Sequence, residues 1–164
     1  MPEALEEWSD FNVAMAGATA ALAGLLIVAM SVNLKAIVAS RSLPIRMATA
    51  LTTLLVALAA TALGLAPGQP AWAYGLEVLA GVVVAAVFEV RAIGAIRQDQ
   101  LVSTAQRTAK AIAGTVPISA YVVGGVLLVA GAVNAGLWFL AIGAILAIAS
   151  AILHSWIVLV EVLR

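Results

Sequence analysis

Apolar positions in this chain run on without interruption instead of alternating with polar ones. Phe11 to Leu34 carries no charge in 24 residues. A bilayer core about 30 Å thick is crossed by about 20 helical residues, so this run predicts a first spanning helix over 11–34. A second run, Met47 to Leu76, is broken at Ala66-Pro67-Gly68-Gln69-Pro70, where two prolines and a glycine stop a helix. It predicts a second helix over 44–65 and a third over 71–97. Pro44 suits a first helical turn, where its missing N–H costs nothing. Ala111 to Val160 holds no formal charge in 50 residues. One helix of that length would be about 75 Å long, more than twice the core, so the run predicts two spans. The division falls at Val133-Asn134-Ala135-Gly136. The fourth helix then covers 114–132, with Pro117 in its first turn, and the fifth covers 137–163. Residues 98–109 read either as extensions of helices three and four or as a polar loop.

The predicted fold is all-α: one transmembrane domain over residues 1–164, a bundle of five spanning helices. The first run is too long for a cleaved signal peptide, and its flank is acidic (Glu3, Glu6, Glu7, Asp10) where a leader is basic. Charge orients the bundle. Lys35, Arg41 and Arg46 lie between helices one and two; Arg91, Arg97, Arg107 and Lys110 lie at or between the ends of helices three and four; Arg164 ends the chain. Five spans put all of them on one side, which the positive-inside rule makes cytoplasmic, with the N-terminus outside. Trp72, Tyr74 and Trp138 then mark the outer interface and Trp156 the inner one. Leu5 and Trp8 predict that the acidic N-terminal segment lies along the outer surface.

Composition narrows the function classes. The chain is 65% apolar and 10% charged, with a mean hydropathy of +1.16, far from the roughly 45–50% and 25% of soluble domains. A soluble globular enzyme is excluded. Eight Lys+Arg balance eight Asp+Glu, so no basic surface serves nucleic acid. With no cysteine, disulfides, thiolate metal sites and Cys nucleophiles are excluded too.

Lipid tails are as apolar as Leu, so close approach of small residues is what joins spanning helices. Gly17, Gly24 and Ser31 recur every seven residues in helix one, Gly124 and Gly131 in helix four, and Gly136, Gly143 and Ser150 in helix five. A seven-residue period drifts only about 20° per step, so each series is a narrow stripe and a candidate packing seam. Asn12, Thr19 and Asn33 form a second stripe opposite Gly17 and Gly24, which predicts a central helix one with partners on both sides.

Ionisable residues inside a span are functional candidates by default. Three qualify: Glu77 near the outer edge of helix three, Glu89 in its inner third, and His154 in the inner third of helix five. Glu89 either carries function or pairs with Arg46, Arg107 or Lys110, or snorkels to the interface. His154 shares a face with Gly143, Ser150 and Glu161; it is either functional or a bundle histidine bonded to Ser31 or Asn33. Glu161 reads as a juxtamembrane charge. No basic residue lies in the outer half, so Glu77 must be protonated, bonded to Asn12, Thr19 or Thr61, or facing water. Glu77 and Glu89 stand about 18 Å apart along the helix and are not a catalytic carboxylate pair.

The lone histidine argues against a multi-His metal or haem site. No HExxH, GxSxG, P-loop or GxGxxG pattern occurs. The expectation is therefore a non-enzymatic protein with no metal and no cofactor.

Asp10-Phe11, the run Ala16-Gly17-Ala18-Thr19-Ala20-Ala21-Leu22-Ala23-Gly24 through Asn33-Leu34, Gly64-Leu65-Ala66-Pro67-Gly68-Gln69 and the closing Trp156 to Arg164 resemble a family of small bacterial membrane proteins labelled "modulator of FtsH protease". The resemblance implies a five-helix protein of the bacterial inner membrane. It brings no established activity and no functional residues. A bundle this small leaves much helix surface uncovered, which predicts self-association or docking onto a larger membrane complex as a regulator or accessory subunit. The alternative is a homo-oligomeric cation channel or proton-linked transporter. There Glu77 lines an outer vestibule, and Glu89 and His154 form the inner half of a proton path. A third reading sets the cytoplasmic Arg/Lys cluster on anionic lipid headgroups.

Overall fold

A computed structural model describes residues 3–40, 43–98 and 104–162. Among them all regular structure is helical: α1 (Glu3–Glu7), α2 (Ser9–Val32), α3 (Leu34–Ala39), α4 (Leu43–Leu63), α5 (Ala71–Gln98), α6 (Thr104–Val129) and α7 (Val133–Val162). Three stretches, Ser9–Val32, Leu43–Leu63 and Val133–Trp156, are long and apolar enough to cross a membrane by length and composition. Gly114–Val129 is a shorter apolar stretch of α6.

Helices α4, α5, α6 and α7 close a ring in which each packs on the next and α7 returns to α4; α2 lies outside, along α4. The central helix is thus α4, and the expectation of a central helix one is corrected. Over its most apolar stretch α2 is 17% buried, against 56% for α4. The physical reason lies in the side chains of α4. Thr49, Thr53, Ala57 and Ala60 are small and buried, and the threonine hydroxyls donate to the carbonyls of Ile45 and Thr49 one turn earlier. A hydroxyl satisfied on its own helix can be buried without a partner elsewhere. Neighbours therefore approach α4 closely from several directions.

One end of the ring gathers Leu5, Tyr74 and Leu137 into a common core, with Trp8 set edge-on against Phe11 and Trp138. Leu5 is buried, so α1 folds over this end of the ring. The starts of α2 and α7 meet here. At the far end Ile37, Leu43, Met47 and Ala151 form a second core between α3, α4 and α7.

Several boundaries differ from expectation. Of the two readings of 98–109, the described part follows the helical extensions, for α5 runs to Gln98 and α6 begins at Thr104, while 99–103 lie outside the described residues. The opening of α6, Thr-Ala-Gln-Arg-Thr-Ala-Lys, is made of Ala, Gln, Arg and Lys with two Thr, mostly good helix formers. Pro117 consequently sits inside α6 and is buried, not in a first turn. The α6–α7 break falls at Ala130-Gly131-Ala132, three residues before the expected division. Gly131 has φ +84°; its N–H donates to Leu128 O at 3.1 Å and that of Ala132 to Leu127 O at 2.9 Å. This is a Schellman C-cap, which requires a left-handed residue. Gly131 is a turn residue and not part of a packing seam.

Candidate functional site

Small residues set how closely the helices approach, and closeness decides what is buried. Gly124 and Gly125 are adjacent on α6 and serve different neighbours. A Cβ at Gly124 would stand 3.0 Å from Gly136 O of α7, and one at Gly125 would stand 3.1 Å from Gly75 O of α5. Gly143 lies against the ring of Tyr121, 3.2 Å from a Cβ placed there. On α2 the same seven-residue spacing has the opposite outcome. Nothing lies within 4 Å of a Cβ at Gly17 or Gly24, and Ser31 is exposed, its hydroxyl donating to Ile27 O. That stripe forms no seam within the chain. The face of α2 that packs on the bundle carries Asn12, Thr19, Ala23 and Leu26.

The three ionisable candidates lie in different surroundings: Glu77 is exposed on α5, while Glu89 is buried on α5 and His154 on α7. Glu77 is exposed on α5 and accepts a hydrogen bond from Gln69 Nε2. Its partner is therefore a residue of the α4–α5 turn, and not Asn12, Thr19 or Thr61. Gln69 was legible as a candidate, since Gly64–Pro70 is too short a connection to leave the top of α5. Arg91, on the same face of α5, is exposed as well.

Glu89 lies on another face of α5 and is 5% exposed. It is pressed on the backbone of Gly114 in α6; a Cβ there would stand 2.6 Å from its Cδ. Arg46 is buried on α4 at 2% exposure and has an interaction partner of its own. The side chains of Arg107, Lys110 and Glu161 lie outside the described residues. Close to Glu89 in sequence, Phe88 O faces the Thr49 hydroxyl at 3.4 Å, which ties α5 to α4.

His154 is buried on α7. Its Nδ1 lies 2.8 Å from Ser150 O and 3.3 Å from Ser150 Oγ. Ser31 and Asn33, its expected partners, bond to carbonyls of their own helix, Ile27 O and Ala29 O. A carbonyl only accepts, so the ring donates from Nδ1.

The largest buried polar groups near the Leu5 and Trp8 end were missed as such. Tyr74, expected at the interface, is 1% exposed and donates to Ala60 O at 2.9 Å. Tyr121 is equally buried, and its hydroxyl has no hydrogen-bond partner among the described residues. Both line a cavity of about 10 Å³ with Asn12 and Thr61, beneath Trp8 and Phe11. Asn12 Nδ2 also lacks a partner there. Trp72 and Trp138, by contrast, are exposed. A search for small residues every fourth position would have found α4; the seven-residue search did not.

Comparison with protein-family models, with curated proteins and with solved structures finds no match.

Proposed function

We propose that the chain is an integral membrane protein of five spans, with its N-terminus outside and C-terminus cytoplasmic. In this reading it acts without catalysis, through helix–helix contact, as a self-associating regulator or accessory subunit of a larger complex. In this reading, after the resemblance noted in the sequence, that complex belongs to the bacterial inner membrane. In favour of five spans, α5 and α6 contain 28 and 26 residues, about 42 and 39 Å, and share one ring with two of the apolar spans. The basic residues Lys35, Arg46 and Arg91 lie toward the end opposite Leu5 and Trp8.

The observation that carries the reading is the uncovered stripe of α2. On α6 and α7 glycines bring backbones together. On α2 glycines at the same period face outward with nothing upon them. In lipid, small residues add nothing by facing acyl chains, but they permit close packing by another helix. The test is cysteine cross-linking in native membranes at Gly17→Cys and Gly24→Cys, with Val84→Cys as an exposed control on α5. Cross-linking at both glycines, to a second copy or to one partner in fixed ratio, supports the reading. No product, or equal yield at position 84, overturns it.

A further inference from the structure

Asn12 on α2 and Tyr121 on α6 are 5% and 1% exposed. Asn12 Nδ2 and the Tyr121 hydroxyl have no hydrogen-bond partner among the described residues. A buried polar atom left so is unfavourable unless something bonds to it. Both residues line the same cavity of about 10 Å³, together with Trp8 and Phe11. Two such groups, from two helices, thus meet at one small space.

Size and charge select the occupant. About 10 Å³ is close to the least space that holds one water, which excludes a larger ligand. No charged side chain lines the cavity, so an ion there would be buried without a counter-charge, at high cost. The occupant must also accept, because Asn12 Nδ2 only donates; the Tyr121 hydroxyl does either. Thr61 and Tyr74 line the cavity as well. Each spends its proton on a carbonyl, Ala57 O at 2.9 Å and Ala60 O at 2.9 Å, and keeps lone pairs that can accept. A buried water makes two to four hydrogen bonds. These residues supply one donor, one hydroxyl of either role and two acceptors.

We propose that this cavity is the site of one bound water, which accepts from Asn12 Nδ2 and bonds to the Tyr121 hydroxyl. Helix α2 packs chiefly along α4; the water gives its first half a polar attachment to α6 as well. The proposal stands on the cavity and its lining, and depends on neither the five-span reading nor self-association. The full chain is labelled with nitrogen-15 at asparagine and placed in perdeuterated lipid nanodiscs. Cross-peaks between side-chain amide protons and water are then recorded in the laboratory and rotating frames. Opposite signs in the two frames mark a water held close, and equal signs mark proton exchange. The expected result is a peak of the first kind at Asn12 and none at Asn134, which is exposed at the start of α7. Tyr121→Phe keeps the shape of the cavity and removes one partner, so it lowers the peak about five-fold, the worth of one hydrogen bond. Ala141→Val, at a lining position, fills the space and abolishes the peak. Ordering a water offsets much of what its bonds return, so the peak and not the melting point is the readout. A wild type that lacks the peak, or an undiminished peak in either folded variant, would overturn the proposal; if Ala141→Val does not fold, Tyr121→Phe decides alone.

Discussion

The carboxylate of Glu89 on α5 lies over the backbone of Gly114 on α6, in the space that a side chain at 114 would need. Each residue therefore sets the tolerance of the other. The contact is with the far end of a flexible side chain, but Glu89 is 5% exposed, so shifting it means repacking a buried carboxylate between the two helices. Gly114→Ala is expected to destabilise by about 1–3 kcal/mol, the usual cost of overpacking. Glu89→Ala combined with Gly114→Ala should recover most of that loss, because the clash has gone. Thermal unfolding in detergent of the two single variants and the double variant gives the coupling. Strictly additive effects would mean that the contact does not constrain this helix pair.

Gly75 offers a harder case. A Cβ there would stand 2.7 Å from Gly125 O, and backbone cannot rotate aside. Gly75→Ala should force α5 and α6 apart and cost at least as much as Gly114→Ala, about 2 kcal/mol or more. Gly24→Ala, with nothing within 4 Å, should leave the unfolding of the monomer unchanged or raise its stability slightly, since Ala favours a helix over Gly by about 1 kcal/mol. The contrast is measured by comparing melting points of both variants in a detergent that keeps the chain monomeric. Equal losses at the two positions would contradict the placement of α2.

The two buried tyrosines make a matched pair with opposite expected signs. Tyr74 donates to Ala60 O at 2.9 Å. Tyr74→Phe removes that bond and leaves the carbonyl with its helical partner Gly64 N–H alone, for a loss of about 0.5–1.5 kcal/mol. The Tyr121 hydroxyl is buried without a partner among the described residues, and burial of an unbonded hydroxyl is itself unfavourable. Tyr121→Phe should therefore be neutral or stabilising. Chemical denaturation of both variants decides it, and a larger loss for Tyr121→Phe would reverse the assignment.

The helices were legible because each rests on a local property. A charge-free run of 24 residues needs no tertiary information to be read as helix in an apolar setting, and Pro67-Gly68 stops one by backbone geometry alone. The stripe of Gly143, Ser150 and His154 on one buried face followed from helical periodicity. What stayed hidden depends on which faces meet. Gly17 and Gly24 have the same spacing as Gly136 and Gly143, yet only the latter two are covered, and nothing in α2 itself distinguishes them. Likewise Gly131 and Gly136 are equally good stopping points by composition; the Schellman bonds of Gly131 and Ala132 decide between them. Glu77 and Glu89 look alike in sequence, and their different fates follow from about 120° of rotation around α5.

His154 is the ionisable group whose state is most sharply fixed by its own helix. Its Nδ1 faces Ser150 O at 2.8 Å and Ser150 Oγ at 3.3 Å. The shorter contact is to an atom that can only accept, so Nδ1 carries a proton, and the hydroxyl is the weaker partner by distance. Nitrogen-15 spectra of the singly labelled histidine are expected to show the Nδ1-protonated tautomer. Ser150→Ala keeps the backbone carbonyl and should leave that tautomer in place. Ser150→Ala should also cost little stability, because a methyl fills the space of a hydroxyl whose bond to the ring is long. A switch to the Nε2-protonated form in Ser150→Ala would mean that the hydroxyl, not the carbonyl, orients the ring. The side chain of His154 would then be governed by a group that substitution can tune, as a proton-relay role would require.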